Sequence, residues 1–244
     1  MSILYLIPTP IADAPAESAL PAGTLAVMHR LNTFVVENAK TARAVLKQLG
    51  YPRPLQGVRM LTLSEHTRSD ELQALLAPLL AGEDVGLMSE AGCPGVADPG
   101  AELVRLAHRH GITVVPLVGP SALLLALMGS GFNGQRFAFH GYLPVNANER
   151  IEALKKLETR SGHADESELF IETPYRNGAM FQALLTACRD TTQLCIACGL
   201  MGSTAELHTA SIAEWRHRGW DAPKQPAVFL LYGGSRLPAP FAPN

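Results

Sequence analysis

Five short apolar runs, at residues 3–7, 33–37, 59–63, 84–89 and 112–117, punctuate the first half of this chain, and helix-length amphipathic stretches lie between and after them. The runs are β-branched or aliphatic, bounded by Gly, Pro or Asn, and too short for helices, so they read as strands. Helices are expected at 23–31, 41–49, 69–80, 101–110 and 121–128. In the third, Leu72, Leu75, Leu76, Leu79 and Leu80 make a one-sided stripe behind Ser69, which reads as its N-cap. This alternation points to βα units and a mostly parallel sheet covered on both faces.

The second half follows a different pattern. Strands are expected at 137–140, 168–172, 193–197, 206–210 and 227–232, and helices at 148–160, 175–188 and 211–217. Strands dominate its end, so its sheet reads as mixed. Between the halves stands Gly129-Ser130-Gly131-Phe132-Asn133-Gly134-Gln135, the stretch of the chain richest in backbone-loosening residues. The expected fold is therefore two α/β domains, at 1–130 and 137–236, with a linker at 131–136 and a Pro-rich tail at 237–244. The helix at 122–128 is apolar all round, which suits burial or a subunit interface.

Composition excludes several classes. Hydrophobic residues at 47% and charged residues at 17% rule out a disordered chain. A net charge of -2 gives no global basic field of the kind that marks a nucleic-acid binder. The uncharged stretch 112–135 is cut by Pro116, Gly119 and Pro120, so no membrane span is expected. The N-terminus shows no basic region and no export cleavage pattern, which places the chain in the cytoplasm. Four cysteines are too few for a disulfide framework. Cys195 and Cys198 have C-x-x-C spacing but lie in a strand run with no second ligand pair, so buried thiols are expected and no metal site. The glycines at 129, 131 and 134 match G-x-G-x-x-G, yet a helix precedes them and a strand follows, the reverse of the dinucleotide-binding context.

What remains is a set of rigid turns at strand ends. Ser89-Glu90-Ala91-Gly92-Cys93-Pro94-Gly95-Val96-Ala97-Asp98-Pro99-Gly100 joins a strand to a helix, a place where open α/β sheets bind ligands. Its small residues expose backbone amides, and its prolines hold the loop in shape. Leu117-Val118-Gly119-Pro120-Ser121-Ala122 is a second such turn, with Ser121 as an N-cap, a role that by itself would account for it. Pro8-Thr9-Pro10-Ile11, Glu172-Thr173-Pro174-Tyr175-Arg176 and Lys224-Gln225-Pro226-Ala227 are three more.

Taken with Gly141-Tyr142-Leu143-Pro144, these motifs resemble the tetrapyrrole methylase superfamily, and within it the small-subunit ribosomal RNA methyltransferase I family, whose members methylate a cytidine ribose 2′-oxygen. The resemblance runs from Leu4 to about Tyr232. It implies S-adenosylmethionine in a cleft between two α/β domains, a homodimer, and ribosomal RNA as partner. Carried over by motif, the cofactor would lie on Pro8, on Glu90, Ala91, Gly92, Cys93 and Val96, and on Ser121 and Ala122. The second domain would add Thr173, Leu200 and Met201, and Pro226 with Ala227 beside the adenine. The chain also departs from the family pattern. Ala12-Asp13 stands for Gly-Asn, Val36-Glu37-Asn38-Ala39-Lys40 for Ala-Glu-Asp-Thr-Arg, Glu90 for an Asp, Cys198-Gly199-Leu200-Met201-Gly202 for Arg-Glu-Leu-Thr-Lys, and Lys224-Gln225-Pro226 for Lys-Gly-Glu. Two alternatives therefore stay open: a methylase of a tetrapyrrole or other small molecule, and a non-catalytic homologue that binds the cofactor.

Methylating a hydroxyl calls for a base or a hydrogen-bond acceptor. Glu37, Glu90, Glu172 and His140 are the candidates, each with a structural reading beside it: Glu90 as a cap, Glu172 as the partner of Arg176, His140 as a satisfied core residue. RNA would need a local basic groove. Lys40-Arg43-Lys47, Arg105-His108-Arg109 and Lys155-Lys156-Arg160 are small basic clusters on helices, and solvated faces account for such clusters as readily.

Overall fold

A computed structural model describes residues 2–12, 19–64 and 66–234. Asp13 and the tail 237–244 lie outside the described residues. The ten strands expected from sequence form two separate sheets. The first is built from β1 (Ile3–Ile7), β2 (Thr33–Val36), β3 (Arg59–Thr62), β4 (Val85–Met88) and β5 (Thr113–Pro116), in the order β3-β2-β4-β1-β5. All pairings are parallel. The residues of β2 and β4 are buried throughout, as strands covered on both faces must be.

The connecting helices are α1 (Ala22–Arg30), α2 (Ala39–Gln48), α3 (Ser69–Leu80) and α4 (Ala101–Arg109). The stripe on α3 works as expected: Leu72, Leu75, Leu76 and Leu79 join Leu4, Val35, Val85 and Leu87 in one core, while Leu80 stays exposed. Its start differs from expectation by one residue. Arg68 takes the cap position instead of Ser69, and the Glu71 carboxylate accepts a hydrogen bond from Arg68 N at 3.0 Å. That carboxylate satisfies a backbone donor at the helix start.

The second sheet has the order β6-β7-β10-β8-β9, from β6 (Phe137–Tyr142), β7 (Ser167–Glu172), β8 (Gln193–Cys198), β9 (Glu206–Ser211) and β10 (Ala227–Tyr232). Only β6 and β7 pair in parallel, so the sheet is mixed. Alternation along β7 sends Phe170 to one core and Leu169 to the other. The Phe170 core is roofed by α6 (Ala147–Ala164), α7 (Asn177–Ala187) and α8 (Ile212–Arg218), and Phe170 stacks on Phe229 at 5.6 Å.

Helix α5 (Ala122–Ser130) covers the opposite face of this second sheet, with Ala126 and Leu127 packed among Leu169, Cys195, Val228 and Leu230. The chain accordingly divides into two compact units at Ser121/Ala122. This corrects the expected boundary after residue 130. The glycine-rich stretch 131–136 is a folded turn inside the second unit: Asn133 Oδ1 accepts from Gln135 N at 2.9 Å and Arg136 N at 3.3 Å, and Ser167 Oγ donates to Asn133 O at 2.9 Å. An asparagine that bonds its own backbone makes a turn of what composition suggests is a linker. The all-apolar α5 is likewise only half absorbed, for Leu124 and Met128 remain exposed.

Candidate functional site

In a parallel sheet every strand delivers its carboxyl end to the same edge, so the turns after β1, β2, β4 and β5 meet there. The turns after β1 and β4 are stitched by a two-residue bridge: Thr9 N donates to Gly92 O at 2.9 Å, and Gly92 N to Thr9 O at 3.1 Å. Thr9 Oγ1 adds a bond to Ser89 O at 3.3 Å, and Ser89 Oγ reaches Gly92 O at 3.2 Å. The turn after β5 closes on the same group. Cys93 Sγ lies 3.4 Å from Pro120 O, and a Cβ on Gly119 would come within 2.3 Å of Pro8 Cβ. Only glycine allows that approach. Pro8, Gly92, Cys93 and the 119–121 turn therefore form one rim. Thr9, quoted in the Pro8–Ile11 motif but given no role there, is its fastener and is fully buried.

The loop after β4 carries Ala97 at φ +63, a left-handed conformation that costs a non-glycine residue about 1–2 kcal/mol. Met201, on the turn after β8, is held the same way at φ +70. Strain of this kind concentrates at ligand sites. Val96 and Ala91 face outward, consistent with a surface open to a ligand. The Cys93 thiol is pushed up by burial and by the Asp98 carboxylate, so it stays a neutral donor rather than a nucleophile.

Glu37 and Glu90 are brought together at this edge. Strands β2 and β4 are neighbours, and the Glu37 carboxylate accepts from Glu90 N at 3.1 Å. Glu37 thus positions the loop that bears Glu90, whose own side chain is exposed.

The second unit collects its predicted residues at one end of its sheet. Because β10 runs antiparallel to both neighbours, Ala227 pairs with Glu172 on β7 and with Cys198 on β8. Thr173, the 199–201 turn and Pro226 follow at that end. The lip before β10 is pinned by Asn177, fully buried, whose Nδ2 donates to Gln225 O at 2.8 Å and Pro223 O at 3.2 Å. Gln225 in turn donates from Nε2 to Thr204 Oγ1 at 3.0 Å. Neither residue is among the candidate cofactor-binding or catalytic residues, although Gln225 lies in the 224–227 motif. Asn177 hides as one more polar residue at a helix start, and only its position one residue after Arg176 marks it.

Two candidate bases are committed to structure. Glu172 is buried, bound by Arg176 Nη2 at 2.9 Å and by Thr173 N at 2.7 Å. His140 Nε2 lies 2.5 Å from Glu168 Oε2, and Arg160 Nε approaches the same carboxylate at 3.5 Å. Cys195 and Cys198 sit in opposite cores of the sheet, because residues three apart on a strand point to opposite faces. Burial pushes their thiols up to about 11 and about 12 respectively. Among the described residues no three His, Cys, Asp or Glu side chains could hold a metal ion. Nor is any helix of those residues long and apolar enough to cross a membrane.

No family model matches the chain. The chain is similar to curated proteins named ribosomal RNA small subunit methyltransferase I. That of Mesorhizobium japonicum is 32% identical over 209 residues, covering 86% of this chain and 67% of the relative. That of Escherichia coli O157:H7 is 28% identical over 211 residues, with 86% and 70% covered, and that of Vibrio cholerae 27% over 234 residues, with 95% and 77% covered. Among solved structures, the methyltransferase CobJ superposes with a TM-score of 0.61 at 17% identity, over 98% of this chain and 96% of the other. Uroporphyrin-III-C-methyltransferase from Thermus thermophilus superposes with a TM-score of 0.57 at 16% identity, over 96% and 95%. Likeness at that identity speaks for the fold alone.

Proposed function

Since this chain belongs to the ribosomal RNA small subunit methyltransferase I family and is a methyltransferase, we propose that it transfers a methyl group from S-adenosylmethionine to a ribose 2′-oxygen of small-subunit ribosomal RNA. We propose further that it works as a homodimer in the cytoplasm. The observation that supports the reading most is the 32% identity over 86% of the chain to a relative of that name.

The residues at the strand ends suit such a donor. The rim at Pro8, Gly92 and Gly119 is closely packed, Gly92 at φ +77 turns the chain there, and the exposed Ala91 and Val96 on the same loop offer small side chains and backbone to a nucleoside. The bonded set Thr9–Ser89–Gly92 holds that surface in shape before any ligand arrives. When bound, S-adenosylmethionine supplies a methyl group already activated on a sulfonium. The protein's share is alignment, which supplies on the order of 7–11 kcal/mol in well-oriented reactions. As the new O–C bond forms and the S–C bond breaks, the hydroxyl proton must leave. Of the four candidates, Glu90 and Glu37 sit at the rim, while Glu172 and His140 are held by Arg176 and Glu168.

Titration calorimetry with S-adenosylhomocysteine tests the donor: saturable binding is expected, and no heat and no thermal shift at millimolar ligand would end the reading. Methyl transfer to rRNA from a strain lacking this gene tests the acceptor. Transfer to corrinoid or porphyrinoid precursors, with none to rRNA, would replace RNA by a small molecule.

A further inference from the structure

Three helices carry basic clusters, and the structure separates them. On α6 two of the three cations are paired: Lys155 Nζ with Glu152 at 3.0 Å and Arg160 Nη2 with Glu166 at 2.6 Å. On α4 the charges follow the helix dipole, with Glu102 in the first turn and His108 and Arg109 in the last. That is the arrangement a solvated helix adopts for its own stability.

Helix α2, with sequence AKTARAVLKQ, does neither. Lys40, Arg43 and Lys47 are exposed, and no ion pair to any of them occurs among the described residues. The helix has no acidic residue at all, and Lys40 stands in its first turn, where a cation opposes the dipole. Helix stability therefore does not explain Lys40. Asn38 Oδ1 already accepts from Lys40 N at 2.9 Å and Thr41 N at 3.3 Å, so the end amides are capped and the side chains carry the face. Spacings of three and four residues put the three cations along one side, about 10 Å from first to last at 1.5 Å per residue. The row starts two residues after Asn38, itself next to Glu37, whose carboxylate holds the Glu90 amide at the rim. Of the three clusters this row is the one that has neither ion pairs among the described residues nor a charge order that suits its helix, and in a chain of net charge -2 it marks a local site for a polyanion.

We infer that the Lys40–Arg43–Lys47 face of α2 is the phosphate-binding face that seats the RNA acceptor beside the strand-end rim. This rests on the reading that the acceptor is RNA, and it adds which side chains hold the backbone. Such contacts position the strand without reading its sequence.

The test is the salt dependence of binding to the unmethylated rRNA substrate, measured for the whole chain and for a Lys40→Ala/Arg43→Ala/Lys47→Ala variant. Each phosphate contact to a single strand contributes about 0.7 to the slope of log K against log salt, so the variant's slope is expected to be shallower by about 2. If the two lines meet near 1 M salt, affinity at 0.1 M falls about 100-fold. S-adenosylhomocysteine affinity is expected to be unchanged, and alanine does not weaken the helix. Lys40→Arg/Lys47→Arg should retain the wild-type slope, and Arg105→Ala/Arg109→Ala should leave it untouched. An unchanged slope in the triple variant, with the wild type methylating RNA, overturns this inference alone. A wild type that binds S-adenosylhomocysteine but neither binds nor methylates RNA overturns the RNA reading and this inference with it.

Discussion

Gly119→Ala is the sharpest probe of the rim, because the clash it makes is against a part that cannot step aside. The new Cβ would sit 2.3 Å from Pro8 Cβ and 2.8 Å from Pro8 Cγ. Unbonded carbons settle at about 3.5–4.0 Å, so the overlap is about 1.2 Å at the least. Leu20 Cδ2, at 3.0 Å, can rotate away; the ring of Pro8 has no such freedom, and the chain beyond it is held by the pair of backbone hydrogen bonds between Thr9 and Gly92. Relief must come from spreading the turns after β1 and β5. Overpacking of this kind costs about 1–3 kcal/mol. If the strain is released only by spreading the rim, S-adenosylhomocysteine affinity falls about 5- to 150-fold, at about 1.4 kcal/mol per factor of ten. The melting transition of the first unit should drop by about 3–6 °C for each kcal/mol. Gly57→Ala is the matched control, since a Cβ there meets nothing within 4 Å; it should stay within about 0.5 kcal/mol of wild type. Calorimetry and thermal unfolding on the two variants decide the matter: if Gly119→Ala behaves like Gly57→Ala in both, the rim is not assembled by that close approach.

Asn177→Ala removes two donated hydrogen bonds from a fully buried position, and should destabilise the second unit by about 1–3 kcal/mol by denaturant midpoint. The same variant should loosen the 223–226 lip, seen as faster amide exchange there than in wild type. His140→Gln should lower stability by about 1–3 kcal/mol, since it weakens the partnering of the buried Glu168, yet leave kcat within a few-fold; a drop of a hundredfold or more would make His140 catalytic after all. Burial lifts the Cys188 and Cys198 thiols to about 12 and Cys195 to about 11, against about 8.5 in an unfolded chain. Folded-state values raised in this way mean a contribution intact below about pH 8.5 and lost as pH climbs through 9 toward 11–12. The urea midpoint should fall over that window, and fall less in a Cys188→Ala/Cys195→Ala/Cys198→Ala variant.

The strand-end motifs were legible because the chemistry of a turn is local. Glycine and proline at 8, 92, 94, 119 and 120 act through their own φ angles and missing atoms, so the residues name the turn without its neighbours. Element order was legible for a similar reason, since an apolar run such as 33–37 has the length of a strand wherever it packs. The domain boundary was not. Gly129 to Gln135 reads as a linker by composition, and only the pairing of Asn133 with residues 135, 136 and 167 makes it a turn. Likewise the affiliation of α5 depends on which sheet its Ala126 and Leu127 bury against, and an all-apolar helix advertises no preferred side. The roles of Thr9 and Asn177 were not legible because each acts through bonds to residues some 46 to 83 positions away.

The acidic side chains show how far the candidate site constrains its chemistry. A carboxylate can take a proton from a hydroxyl only if a lone pair is turned toward the substrate. Glu172 has one oxygen against the Arg176 guanidinium and the other against Thr173 N, and Glu168 is shared between His140 and Arg160. Removing either would cost the second unit its stability before it cost the reaction a base. At the rim of the first unit, Glu37 spends an oxygen on Glu90 N, which leaves the exposed Glu90 as the carboxylate with the fewest structural duties. Glu90→Gln is therefore the variant to make: it keeps size and hydrogen bonding but cannot accept a proton. A base at this position predicts kcat lower by about 10²- to 10⁴-fold, well beyond any accompanying change in S-adenosylhomocysteine affinity. Retention of kcat would mean that the reaction proceeds by alignment alone, with the hydroxyl proton passing to solvent.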